Sequence, residues 1–286
     1  MTFDINKLIA AVDRWSMNMG EENIHIHVPD NRKKKRNHLG LSMIGGDCQR
    51  AAWFDFRQVA KKTFPPRILR LFQRGHREEF FFEHMLRSVG LKIYSLDPTT
   101  GKQFKVSDFE GHLGGSMDGV CRDRKLRYVD EDKPFKLEYK TYNRARFKKL
   151  VKEGVRSSDP KYYTQMNGYL GYAPRLKGVL FCAVCKDDDD LHFQWLRPDS
   201  NQLILIQDRA DVIINSTTPP AGISKRKSFY KCKFCDFKEN CFDNLPSVKS
   251  CRSCAHSSPA ENKSWVCGIE TQEFGDPCGS WEDCNR

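Results

Sequence analysis

Apolar and polar positions alternate along this chain at two periods, and the changes of period mark its elements. Residues 4 to 19 carry apolar side chains at helical spacing and predict a short amphipathic helix. The basic run NRKKKRNH (31–38) follows as an expected loop, and LGLSMIGGDCQRAAWFDFRQV (39–59) ends in a helical pattern. A long helix is expected over 65–91, opened by two prolines suited to a helix start. Its apolar stripe is Ile68, Leu71, Phe72, Gly75, Phe82 and Leu86, and Glu79 falls on that stripe. Strand-like runs at 91–96, 103–107, 111–121, 126–129 and 135–141 suggest a meander. Helices at 143–153 and 159–172, a strand pair at 178–185 and 191–197, and a helix at 199–215 complete the pattern. Beyond it the chain reads as cysteine-rich loop, without repeats.

The alternation of strands and helices predicts an α/β class with a mixed central sheet flanked by helices. At 286 residues the chain can bury one sizeable core and a small appendage. No stretch has the apolar length to span a bilayer, and MTFDINKLIAAVDRW lacks the pattern of a secretory signal, so a cytoplasmic protein is expected. Twelve cysteines are present, eight of them between 232 and 284. In a reducing compartment such spacing suggests metal sites before disulfides. One four-thiolate iron–sulfur cluster and one four-thiolate zinc site would lower the formal +11 to about +7. That surplus still favours a polyanionic partner.

The stretch FKLEYKTYN (135–143) places Glu138 and Lys140 on one strand face. A solvated face with a local charge pair is the plainer reading. The sharper one takes in Asp118, twenty residues upstream in GHLGGSMDGVC. Phosphodiester hydrolysis calls for a divalent ion to position water and stabilise charge, and carboxylates suit magnesium or manganese. Glu79 adds a third carboxylate, since a buried acid on an apolar stripe is costly unless paired or metal-bound. His76 is a second-choice ligand, while Glu78 and Glu83 read as solvated. Clustered carboxylates repel, so removing any one should leave the metal-free fold intact or slightly more stable. In YYTQMNGYLGY, Tyr162, Gln165, Tyr169 and Tyr172 share a helix face.

An aspartate on one strand followed by Glu-x-Lys on the next resembles the PD-(D/E)XK nucleases. RGHREE resembles the first motif of their RecB-type and lambda-exonuclease-type members, and Gln165 with Tyr169 resembles the Q-x3-Y motif. Cys48, with Cys232-x2-Cys235-x5-Cys241 downstream, resembles the 4Fe-4S clasp of the AddB and CRISPR-adaptation nucleases. Zinc on the same four cysteines is the competitor, because spacing alone does not separate the two. The resemblance covers about residues 42 to 241 and implies a restriction-endonuclease-like fold. Residues 1–39 would form an N-terminal helix and basic loop, 40–245 the clasped nuclease domain and 246–286 a cysteine-rich zinc module. It implies a Mg2+- or Mn2+-dependent exonuclease acting on single-stranded DNA or DNA ends. Asp118, Glu138, the Tyr139 carbonyl and Glu79 would bind the ion, Lys140 would assist the water, and Gln165 and Tyr169 would border the DNA path. Tyr169 is expected to stack on bases there. Recombination or replication proteins are expected partners, and so compact a module suits a bacteriophage. An endonuclease, including one of CRISPR-type spacer acquisition, and a non-catalytic nucleic-acid-binding protein with two metal modules are the alternatives.

Three further cysteines, Cys121, Cys182 and Cys185, sit in strand-like runs and read as structural. Cys251-x2-Cys254-x12-Cys267-x10-Cys278 resembles a zinc ribbon, with Trp265 and Trp281 to pack over it and Cys284 or His256 as alternative fourth ligands. So short a segment scarcely folds without metal.

Overall fold

The computed structural model describes residues 1–18, 37–269 and 277–285; most of the basic run 31–38 lies outside them. The chain is mixed α/β, and its contacts gather it into two units. The first takes the described residues within 1–32, 64–106 and 116–200; the second takes those within 33–63, 107–115 and 201–286. These units do not follow the linear divisions at 39/40 and 245/246.

The first unit is built on a five-stranded sheet ordered β2-β5-β6-β7-β8. Its strands are β2 (Lys92–Tyr94), β5 (Gly119–Arg122), β6 (Phe135–Tyr142), β7 (Val179–Cys185) and β8 (Leu191–Leu196). β6 and β7 are parallel and the other neighbours antiparallel. A parallel pair needs a long crossover. Here α5 (Arg144–Ser158) and α6 (Pro160–Tyr172) supply it. α5 starts where the Asn143 side chain accepts from the Arg146 amide at 3.0 Å, and α6 starts at Pro160. Gly178, entering β7, has to be glycine: a Cβ there would lie 2.7 Å from the Leu196 carbonyl oxygen. Its own carbonyl accepts from the Lys136 amide at 2.9 Å and so anchors the start of β6.

α1 (Ile5–Asn18) and α4 (Pro66–Ser88) cover one sheet face. Leu8 and Val12 of α1 and Phe82, Met85 and Leu86 of α4 pack with Leu137, Tyr139, Leu180 and Cys182 in one core. Full burial of each such side chain contributes roughly 1.5–3 kcal/mol. The N-terminal helix is therefore part of this core, although the resemblance leaves it outside. Cys121, Cys182 and Cys185 are buried in their strands, and burial pushes the Cys121 and Cys182 thiols well up.

Of the meander expected over 91–141, runs 91–96, 111–121 and 135–141 pair in succession as β2-β5-β6, but 103–107 and 126–129 do not join them. β3 (Lys105–Asp108) and β4 (Leu113–Ser116) leave the main sheet and join β1 (Leu39–Gly40) in the order β1-β4-β3. β3 buries only Val106, too little apolar surface to hold a place in the main sheet. Run 126–129 contributes only a bridge between Val129 and Phe3.

In the second unit, α2 (Leu41–Ile44), α3 (Gln49–Phe56) and α7 (Ser200–Asn215) supply the buried Leu41, Ile44, Trp53, Phe54, Phe56, Ile206 and Ile213. The Trp53 indole donates to the Ser216 carbonyl at 3.0 Å. The cysteine-rich part forms the short helices α8 (Tyr230–Lys233) and α9 (Lys238–Phe242) and an antiparallel pair, β9 (Ser257–Pro259) with β10 (Trp265–Cys267). No helix among the described residues is long and apolar enough to cross a membrane.

Candidate active site

β6 is the central strand of its sheet, and its two faces have opposite characters. Phe135, Leu137 and Tyr139 point into the core, where the Tyr139 ring stacks on Phe82 at 5.4 Å. Lys136, Glu138 and Lys140 share the other face. Glu138 is buried and held from both sides: Lys136 donates to one carboxylate oxygen and Lys140 to the other. Lys136 also donates to the Leu137 carbonyl at 2.7 Å, and Lys140 to the Tyr139 carbonyl at 3.1 Å.

Asp118 comes from the neighbouring strand. Run 111–121 breaks at Met117 and Asp118, between β4 and β5, and the Met117 amide donates to the Phe104 carbonyl at 2.9 Å. β5 then pairs Gly119 with Leu137, which sets Asp118 beside Glu138. The Tyr139 amide lies 3.4 Å from an Asp118 carboxylate oxygen. Burial and the Glu138 charge raise the Asp118 carboxyl above its ordinary value, against the pull of Lys136 and Lys140. Glu138 goes the other way. Burial opposes its charge, but the charges and hydrogen bonds of Lys136 and Lys140 outweigh burial and hold it well below the carboxylate range. For Lys140 burial is likewise overcome, by Glu138, Asp118 and Tyr162, and its pKa is raised.

α6 closes the far side of this face. The Lys140 ammonium lies 4.8 Å from the Tyr162 ring centroid, and that of Lys136 lies 4.8 Å from the Tyr169 ring. The Tyr169 hydroxyl donates to the Ser116 carbonyl at 2.7 Å, two residues before Asp118, and Gln165 hydrogen-bonds the same tyrosine. Tyr169 is only 3 % exposed, so the base stacking expected of it is not open to it. Its ring is spent on Lys136.

Glu79 differs from expectation in its surroundings. The amino-terminal half of α4 is not buried, Phe72 being 45 % exposed, because the stripe outruns the core it packs on. Glu79 is 42 % exposed, with its carboxylate 3.7 Å from His76. It is not the buried acid the stripe suggested. Glu78 faces Arg74 at 3.7 Å, and Glu83 accepts from Arg87 and from Ser95 at 2.6 Å. Lys136 was missed from the sequence. The signal was there, since K-x-E-x-K places all three charges on one strand face.

The cysteines form two groups in the second unit. Cys48 caps the start of α3, Cys232 lies on α8, Cys235 follows it and Cys241 lies on α9. Burial raises the Cys232 thiol, and charges on Cys48 and Cys241 raise it further; Cys235 is raised by burial and, among its charged neighbours, by Cys48 and Cys232. Cys232 thus lies within electrostatic reach of Cys48, Cys235 and Cys241. The Arg50 guanidinium is 3.5 Å from the Cys241 sulfur. In the tail, the backbone of Cys254 pairs with that of Asp283 in an isolated antiparallel β-bridge, and the Cys284 amide donates to the Ser253 carbonyl at 3.1 Å. Cys254 and Cys284 both reach the buried Arg57 electrostatically. Trp265 packs under Arg57 and Arg252, at 5.2 and 4.4 Å, while the Trp281 indole donates to the Ser250 carbonyl. Among the described residues, no three His, Cys, Asp or Glu side chains are already arranged to hold an ion.

No protein-family model matches the chain, and no curated protein matches its sequence. Among solved structures, SSO0001 is similar over 84% of this chain and 95% of its own, at 14% identity and a TM-score of 0.41. The alkaline exonuclease LHK-Exo from Laribacter hongkongensis is similar over 63% of this chain and 87% of its own, at 11% identity and a TM-score of 0.43. Its complex with dAMP is similar over 62% and 86%, at 13% identity and a TM-score of 0.44. At these values none of the three decides what the chain does.

Proposed function

We propose that this chain is a divalent-metal-dependent deoxyribonuclease of the PD-(D/E)XK type, acting on single-stranded DNA or DNA ends. One observation carries the reading. Asp118, at the break just before β5, lies beside Glu138 of the paired strand β6, and the Lys140 ammonium rests on both Glu138 and the Tyr139 carbonyl. A cation already sits on two of the oxygens expected to hold a metal ion. Carboxylate and carbonyl oxygens are hard donors that fit Mg2+ or Mn2+. Asp118, Glu138 and the Tyr139 carbonyl would hold the ion, with Glu79 completing the set from α4. When bound, it would activate water and stabilise the negative charge that develops on the phosphate.

Lys140 has a definite role in this scheme. Glu138 and Asp118 keep it protonated, so it donates a hydrogen bond and neutralises charge rather than accepting a proton. Lys136 keeps Glu138 ionised and pointed. Tyr169 and Gln165 tie the Asp118 break to β6. The four thiols of Cys48, Cys232, Cys235 and Cys241 are assigned to a 4Fe-4S clasp, and Cys251, Cys254, Cys267 and Cys278 to zinc. The test is release of acid-soluble nucleotides from DNA on adding Mn2+. The wild type should release them, and Asp118→Asn should not; equal release by both would reject the assignment.

A further inference from the structure

Residues 225–235 carry five cations and no acid, with the rings of Phe229, Tyr230 and Phe234 among them. Lys227 is taken by Asp243 and Lys231 by Asp47, each at 2.7 Å. Lys225, Arg226 and Lys233 are exposed, with no carboxylate partner among the described residues. The single turn of α8 sorts the side chains. The Lys233 amide donates to the Phe229 carbonyl at 2.9 Å, which closes the turn and sends the buried Cys232 inward. Tyr230 and Phe234, four residues apart, come out one above the other on the opposite side, with Lys233 beside them. Tyr230 is 63 % exposed and Phe234 80 %, more than any other large apolar side chain among the described residues. The Lys233 ammonium lies 5.7 Å from the Phe234 ring centroid, and Phe229 backs the Tyr230 ring at 4.8 Å. Open rings beside free cations are a costly surface to leave in water unless something covers it.

We infer that this face of α8 binds a single strand of nucleic acid, with Tyr230 and Phe234 taking unstacked bases and Arg226 and Lys233 taking phosphates. Charge and shape both select that ligand. Cations with no acid between them call for a polyanion, and an open ring calls for a base face, which a duplex hides in its stack. A lipid surface is matched less well, because one helical turn offers two rings and no broad apolar face to sink into a bilayer. Arg226 sits in the turn that leads into α8, where its carbonyl accepts from the Phe229 amide at 3.1 Å. All of these residues belong to the second unit, whereas the candidate catalytic face on β6 belongs to the first. The site therefore goes beyond the nuclease reading, and its test does not call on cleavage.

The test is fluorescence anisotropy of labelled oligothymidylate and oligouridylate in EDTA, titrated with salt, on full-length variants whose melting curves match the wild type. Binding of either supports the site, and the tighter of the two identifies the strand. Phe234→Ala and Tyr230→Ala should each weaken binding about tenfold and leave the log–log salt slope unchanged, whereas Phe234→Trp, which keeps a ring, should bind as the wild type does. Arg226→Ala with Lys233→Ala should weaken binding at least tenfold and lower the slope by about 1.4, the loss of two single-strand phosphate contacts. The control, Lys102→Ala with Lys125→Ala, removes the same charge from exposed positions of the first unit and should change neither. With 5-bromouracil in the oligonucleotide, irradiation of the wild type should crosslink it to the peptide that holds Tyr230 and Phe234, a result that needs no variant to fold. Wild-type binding by the α8 alanine variants, equal losses in the control, or crosslinks confined to other peptides would overturn the site. So would α8-dependent binding to phosphatidylserine vesicles with no binding to either oligonucleotide. If binding needs α8 and no cleavage occurs with Mn2+, the nuclease falls and this site stands.

Discussion

Lys136 buries its whole side chain, at 0 % exposure, to place an ammonium on Glu138. With Lys140 on the other oxygen, Glu138 is the centre of a buried ion triad rather than one of two repelling acids. The two carboxylates should therefore differ in sign when removed. In EDTA, Glu138→Gln strands two ammonium groups and should cost on the order of 3–5 kcal/mol. Asp118→Asn relieves a raised, partly repelled carboxyl and should stabilise the metal-free protein. Urea denaturation of both variants measures this; two changes of the same sign would contradict the triad.

The same pair sets the pH dependence. A raised folded pKa, as at Asp118, favours the fold fully below the ordinary carboxylate pKa, and the gain is lost as pH rises through the raised value. Glu138, held low, favours the fold above the ordinary value, and that gain is lost as pH falls through the depressed one. Between the two, Glu138 is ionised and Asp118 is the group that still holds a proton. The acid limb of cleavage should follow Asp118 and lie above the pKa of an ordinary aspartate. Mn2+ binding on that limb should release a proton, read by calorimetry in two buffers of different ionisation enthalpy. Buffer-independent heats on the limb would refute this assignment.

Tyr169 offers a check on positioning. Tyr169→Phe keeps the ring under Lys136 but leaves the Ser116 carbonyl without its 2.7 Å donor, a loss of roughly 1–3 kcal/mol. Cleavage should slow through kcat while affinity for the oligonucleotide holds, because the ring is buried and does not meet DNA. A variant with weakened binding and unchanged kcat would restore the stacking role.

The clasp predicts a metal content. Protein purified without oxygen should be brown and carry about four iron atoms per chain. Cys48→Ser and Cys235→Ser should each lose the colour and most of the iron, while Cys182→Ala, altered inside β7, should keep both. Zinc in place of iron would leave the four thiols as a clasp of another metal; full iron in Cys48→Ser would remove that residue from it.

Sequence carried the strand of Glu138, the approach of Asp118 and the long helix of Glu79, because each depends on local period and order. It missed what depends on distant packing. Lys136 drew no notice because lysines are usually solvated, and only the pairing with Glu138 and the Tyr169 ring explains its burial. Glu79 looked buried because helical spacing marks a face without saying how far the core extends beneath it. Tyr169 was given to DNA because an aromatic face reads alike whether it covers a base or a buried ammonium. The departure of β4 from the main sheet, with β3 beside it, turns on partners of β4, Leu39 and Gly40, that lie more than seventy residues away.

The most direct measurement follows end-labelled linear DNA and closed circular DNA with oxygen-free protein and Mn2+, comparing wild type with Glu138→Gln and Lys140→Ala. Wild type alone should release nucleotides from the ends of linear DNA, EDTA should abolish that release, and the closed circle should stay intact. Full cleavage by Glu138→Gln, or no metal-dependent cleavage of any substrate by wild type, would contradict the nuclease assignment.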